Sequence, residues 1–247
     1  MRERDVDIRA GKPIEPPAGS TAQSGSATRA TRRTIIRDAL AISVATGAYA
    51  VSFGALSVAA GLSLLQTCAL SVLVFSGASQ FAFVGVVAAG GAPLSGTATA
   101  LLLGSRNALY GLRLAPLLRL RGLRRTASAQ LVIDESTAMA LNRETPALAR
   151  VGFFATGLLL FAFWNAGTLV GALAGSAIGD PRDFGLDAAV AAAFVALIWP
   201  RLTSTRAWIT AVGGTGVAVA LVPVVPVGVP VLVAALVAVV VGWRGES

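Results

Sequence analysis

Histidine is absent from this 247-residue sequence, cysteine occurs once, and a single lysine stands against 19 arginines. The first absence removes the commonest metal ligand and the side chain that most often acts as a general base near neutral pH. The lone Cys68 excludes an internal disulfide and, inside an apolar run, reads as a small core residue. A Gly-rich phosphate loop ending in Gly-Lys-Ser/Thr is missing, so the chain carries no nucleotide motor of that kind. No cofactor and no metal are implied. Charge is scarce as well: 13% of residues are charged, against 55% hydrophobic and a mean hydropathy of +0.75. A soluble domain of this size needs about 25% charge, so much of the surface faces lipid.

What charge there is gives a net +8, but this does not indicate nucleic acid. The arginines cluster at the ends of apolar runs, where they act as topology signals. Residues 1–34 are polar and rich in Gly, Ser, Thr, Ala and Pro, a composition expected to stay disordered as a cytoplasmic tail. Residues 31–37 with Ala48-Tyr49-Ala50 imitate a twin-arginine signal. The apolar run continues past that site, however, so 35–60 reads as a first transmembrane helix and 35–247 as the membrane domain. Further apolar runs cover 64–90, 93–118, 151–179, 185–200, 207–222 and 227–243. Most of them are long enough to cross a hydrocarbon core of about 30 Å. Segment 127–147 mixes apolar and acidic residues and reads as one amphipathic helix, buried against the bundle or lying at the interface. The fold class is therefore all-α: a polytopic membrane bundle of about six transmembrane helices plus a re-entrant or broken-helix element.

The broken element follows from charge arithmetic. The arginines at 29–37, 113–125, 201–206 and 244 belong on the cytoplasmic side, together with the N-terminus. Three simple crossings before residue 119 would place Arg119 to Arg125 outside. One of the segments 64–90 and 93–118 is thus expected to be re-entrant or a pair of half-helices, an arrangement allowed only where it is buried in protein or lines a cavity. Two polar clusters interrupt the same stretch: Ser76-Gly77-Ala78-Ser79-Gln80 and Gly104-Ser105-Arg106-Asn107. An arginine at membrane depth costs about 2.5–3.5 kcal/mol on insertion scales, so both clusters are candidates for a polar path or binding site.

Each candidate has two readings. Ser76, Ser79, Gln80 and Phe83 share one helix face by spacing, which presents hydroxyls and an amide either to a substrate or to a neighbouring helix. Arg106, Asn107 and Tyr110 form a second face, a site or a snorkelling arginine with an interfacial tyrosine. Asp134 and Glu135 are the wet face of an interfacial helix, or the counter-charge to Arg106. Gly167, Gly171, Gly175 and Gly179 form a glycine-every-fourth ridge, a signal for close helix packing. An intramembrane enzyme with Ser79 or Ser105 as nucleophile has no histidine, and its only lysine, Lys12, sits in the polar tail. The chain is not expected to be an enzyme.

SGASQF at 76–81, LLLGSRNALYGLRLAP at 101–116, LVIDESTAMAL at 131–141 and GLDAAVAAAFVAL at 185–197 occur in that order. Together they resemble the AzlC-like family of branched-chain amino acid permeases, over roughly residues 38–200. The resemblance implies the large subunit of a two-component exporter of hydrophobic amino acids in the bacterial cytoplasmic membrane, proton-coupled and working with a small AzlD-like membrane subunit. Many relatives resemble Arg-His where this chain has Arg106-Asn107, so a scheme in which that histidine carries a proton does not apply. On this reading Ser76, Gly77, Ser79, Gln80, Arg106, Asn107 and Tyr110 contact substrate, with Asp134 and Glu135 as ion-pair or proton-coupling groups. The alternative is a non-transporting membrane scaffold, in which the glycine ridge serves assembly.

Overall fold

A computed structural model of the chain describes residues 19–177, 195, 198, 199 and 202–243, with side chains from residue 30 onward. The expected run 185–200, the motif at 185–197 and Gly179 fall largely or wholly outside these residues. All regular structure described is helical. Among the described residues, two helices are long and apolar enough to cross a membrane: residues Ala30–Ala59 of α1 (Gly19–Ala59) and α8 (Pro146–Ala177). α1 begins at Gly19, well before the expected residue 35, and Ile35 is fully buried.

These two helices run parallel and touch along a glycine seam. A methyl added at Gly167 would collide with the Gly47 carbonyl oxygen, and one at Gly171 with that of Val51. From the other side, a methyl at Gly54 would collide with the Thr168 carbonyl oxygen. At Gly175 it would lie 3.1 Å from Ala55 Cα. The ridge of α8 therefore brings backbone against backbone, the close approach that small residues permit in membranes. Its partner is α1, whose own Gly47 and Gly54 complete the seam.

The first four of the helices between are much shorter. α2 (Leu64–Leu73), α3 (Ala78–Ala88), α4 (Pro93–Gly104) and α5 (Arg106–Leu118) have 10, 11, 12 and 13 residues. At about 1.5 Å per residue each spans roughly 15–20 Å, about half a bilayer core. Both segments are broken, not one, and each break coincides with a polar cluster. Ser63 and Gln66 open α2 with reciprocal bonds of 3.2 and 2.8 Å, and Pro93 sits in the first turn of α4, where its missing N–H costs nothing. α3 and α4 pack as a hairpin.

The expected single helix over 127–147 is two helices. α6 (Gly122–Ala129) ends, a turn follows, and α7 (Asp134–Leu141) starts afresh. Ser136 is fully buried and holds this turn: its hydroxyl donates to the Leu131 carbonyl at 2.5 Å and accepts from the Ile133 amide at 3.2 Å. α7 packs on α8 and α5, so it belongs to the bundle and not to a free interface. α9 (Thr205–Leu221) and α10 (Val229–Trp243) form a second hairpin. Its turn meets that of α3 and α4: a methyl at Gly91 would touch Val227 Cγ1, and one at Gly228 would touch Ser95 Cβ.

Candidate functional site

A helix that stops inside a bundle leaves carbonyls at one end and amides at the next without intrahelical partners. At the first break two glutamines bridge the gap, and the Leu70 carbonyl that one of them reaches also accepts from the Val74 amide at 3.0 Å. Gln80 is fully buried; its Nε2 donates to the Leu70 carbonyl at 3.0 Å and its Oε1 accepts from the Gly77 amide at 3.2 Å. Gln130, from the turn after α6, donates to the Val72 carbonyl at 2.7 Å. Between them Gly77 takes φ +48°, in the region that glycine reaches without strain. This corrects the shared-face reading of Ser76, Ser79, Gln80 and Phe83. Ser76 precedes α3, and the Gln80 amide is committed to backbone instead of facing a ligand. Ser76 and Ser79 still meet, Oγ to Oγ at 3.1 Å.

At the second break only Ser105 separates α4 from α5, and its hydroxyl donates to the Leu102 carbonyl at 2.6 Å. Arg106 therefore falls in the first turn of α5, where the helix dipole disfavours a cation. Asp134 offsets this: it opens α7, where the dipole favours an anion, and its Oδ2 lies 3.1 Å from Arg106 Nη1. The side chains are 30% and 19% exposed, too buried for a surface ion pair of negligible worth.

The pair lines a cavity of about 470 Å³, within the roughly 300–1,000 Å³ of small-molecule sites. Ser76, Gly77 and Ala78 come from the first break, Arg106 and Asn107 from the second, and Ile133, Asp134 and Glu135 from the start of α7. Three helix N-termini thus meet at the cavity. Thr46 and Tyr49 of α1, Phe75, and Leu160 and Trp164 of α8 also line it, with Val195, Ile198 and Thr215. Tyr49, Phe53, Phe81 and Trp164 are packed ring to ring with centroids 5.1–6.4 Å apart. Arg106 Nε, Trp164 Nε1 and Asn107 Oδ1 are buried polar atoms of cavity residues with no hydrogen-bond partner among the described residues.

The proposed contacts are not all gathered here. Ser76, Gly77, Arg106, Asn107, Asp134 and Glu135 share the cavity; Ser79 and Gln80 do not line it. Ser79 faces a neighbouring cavity of about 440 Å³, and Tyr110 a separate hollow of about 480 Å³ beside Arg113. The residues missed are the aromatic ones, above all Tyr49 and Trp164. Their signal was rarity: two tyrosines and four tryptophans in a chain otherwise walled with Ala, Val and Leu.

Half-helices that meet around an ion pair, in a bundle whose outer surface is apolar, define a helical membrane protein built on a charged internal cavity. The chain belongs to the AzlC family. The family profile described as AzlC protein matches residues 41–178, which carry α2 to α8 and the C-terminal part of α1. The chain is 32% identical over 202 residues to an uncharacterized membrane protein of Archaeoglobus fulgidus, covering 80% of this chain and 88% of that one. It is 24% identical over 173 residues to the branched-chain amino acid transport protein AzlC of Bacillus subtilis, covering 69% and 67%. No solved structure matches the chain significantly.

Proposed function

We propose that the central cavity binds the zwitterion of a branched-chain or similar hydrophobic amino acid, and that the chain carries it out across the cytoplasmic membrane. The observation that carries this reading is the Arg106–Asp134 pair in a cavity that aromatic and aliphatic side chains also line. A zwitterion needs a cation, an anion and an apolar surface within a few ångströms of one another. The unpartnered polar atoms complement it: Arg106 Nε and Trp164 Nε1 are donors for a carboxylate, and Asn107 Oδ1 is an acceptor for an ammonium. The name of the Bacillus relative supports the same substrate class. Asp134 and Glu135 are the groups to carry a coupling proton, and a small AzlD-like membrane subunit is the proposed partner.

Segment 64–88 is the re-entrant element of this reading. Arg32, Arg33 and Arg37 put the start of α1 inside, and Arg206 does the same for α9. The end of α1 and the α9–α10 turn are then outside. The α3–α4 turn touches that second turn, so α2 and α3 begin and end on the outer side. A scaffold role is weaker, because the glycine ridge that would serve assembly is already closed on α1 of the same chain.

Counterflow of labelled leucine, isoleucine and valine in proteoliposomes, with and without a co-expressed small subunit, tests the function. The informative variant is Arg106→Lys, which keeps the charge and loses the guanidinium fork. It should insert normally and lose most amino-acid flux; wild-type flux would remove the guanidinium from substrate binding.

A further inference from the structure

Asn107 lines three cavities at once. Besides the central one and the 440 Å³ cavity along α3 and α4, it borders a third of about 430 Å³ between α5 and α6. On α5 the third cavity follows Asn107, Gly111, Ala115 and Leu118, a stripe at near-helical spacing along one face. From Asn107 to Leu118 the helix rises about 16 Å, half the thickness of a bilayer core. It ends at Arg119, Arg121, Arg124 and Arg125, the basic cluster that marks a cytoplasmic surface, and Arg125 itself lines the cavity. Gly111 faces free space there: a methyl added to it meets nothing within 4 Å.

The side chain at this junction is loosely held. Its Nδ2 reaches Ser76 Oγ only at 3.5 Å, well beyond the usual 2.9–3.0 Å, while its buried Oδ1 has no partner. An orphaned buried acceptor is costly unless something else satisfies it. We infer that the Asn107 carboxamide is the inner gate of the amino-acid site, and that the Gly111–Ala115 face of α5 is the route from that site to the cytoplasm. Asn107 stands where the central and α5–α6 cavities meet, and its contact with Ser76 tethers it on the side away from α6. An ammonium donating to Oδ1 satisfies the orphaned acceptor and draws the weakly held side chain toward the ligand. This rests on the central cavity being the substrate site.

Labelling by a charged, membrane-impermeant methanethiosulfonate, in a Cys68→Ala background, tests the route without relying on transport. In inside-out vesicles Gly111→Cys and Ala115→Cys should react, whereas Leu109→Cys, on the opposite and 64% exposed face, should not. Thr46→Cys, across the central cavity, should react slowly with Asn107 present. With Asn107→Ala, or Asn107→Ser should the first variant not fold, it should react at least about tenfold faster, as when a state populated at 0.1–10% becomes the rule. Silence at Gly111→Cys, labelling only from the outer face, or an unchanged Thr46→Cys rate overturns the inference. Counterflow failing while this labelling pattern holds would instead remove the amino-acid reading and leave the route standing.

Discussion

α1 and α8 differ from α2 to α5 in almost every physical respect, although both regions lie in the same bundle. The first pair is long, unbroken and joined by backbone contact at glycines, with no room for a side chain between. The second set is half-length, interrupted at polar residues, and tied across its breaks by glutamine amides and an ion pair. In the seam, packing fixes geometry and chemistry is absent. In the broken helices, chemistry sits where packing was given up, and side-chain hydrogen bonds restore the order that the helix lost. The bundle thus separates a rigid frame from the elements that hold a charged cavity.

The sharpest way to break this division is to widen the seam. Gly171→Leu should leave no folded protein in a detergent extract by fluorescence-detected gel filtration. Its cost exceeds the ~1–3 kcal/mol of ordinary overpacking because the obstacle is backbone, which cannot rotate aside. Next in size, Arg106→Ala should destabilise by about 3 kcal/mol, the lower end of the range for a buried pair, since both partners keep some solvent contact. Adding Asp134→Ala should cost less than the sum of the two single changes, read by thermal unfolding of purified protein. Gln80→Leu should cost about 1–3 kcal/mol by leaving the Gly77 amide unanswered, while the Leu70 carbonyl keeps its bond from the Val74 amide. Gln130→Ala, at an exposed position, should cost only about 0.5–1.5 kcal/mol. Removing residues 1–34 should have the smallest effect, with membrane insertion retained by fractionation.

The contrast between frame and site was partly legible in the sequence. Polar residues at membrane depth and the arginine arithmetic pointed to the breaks, because both rest on solvation, which a one-dimensional pattern carries well. The Gly167–Gly171–Gly175 ridge was visible for the same reason: a fixed small-residue spacing survives without coordinates. Its partner was not, because Gly47 and Gly54 are diluted among alanines that also read as small. The shared face assigned to Ser76, Ser79, Gln80 and Phe83 assumed an uninterrupted helix, and the positive φ of Gly77 ends that assumption. Nothing local marks the turn before Asp134 either, since no Gly or Pro stands there. Tertiary contact at Ser136 and Gln130 makes it. The pairing of Arg106 with Asp134 depends on this turn, which is why spacing alone left the role of the carboxylates open.

The Arg106–Asp134 bond also has an electrical consequence. A fixed cation and a fixed anion 3.1 Å apart cancel as monopoles, and a zwitterion adds no net charge to them. Carrying the amino acid alone across the membrane would then do no work against the transmembrane potential, which otherwise amounts to about 2.3 kcal/mol per elementary charge per 100 mV. Any current that accompanies turnover would count the coupling ions and nothing else.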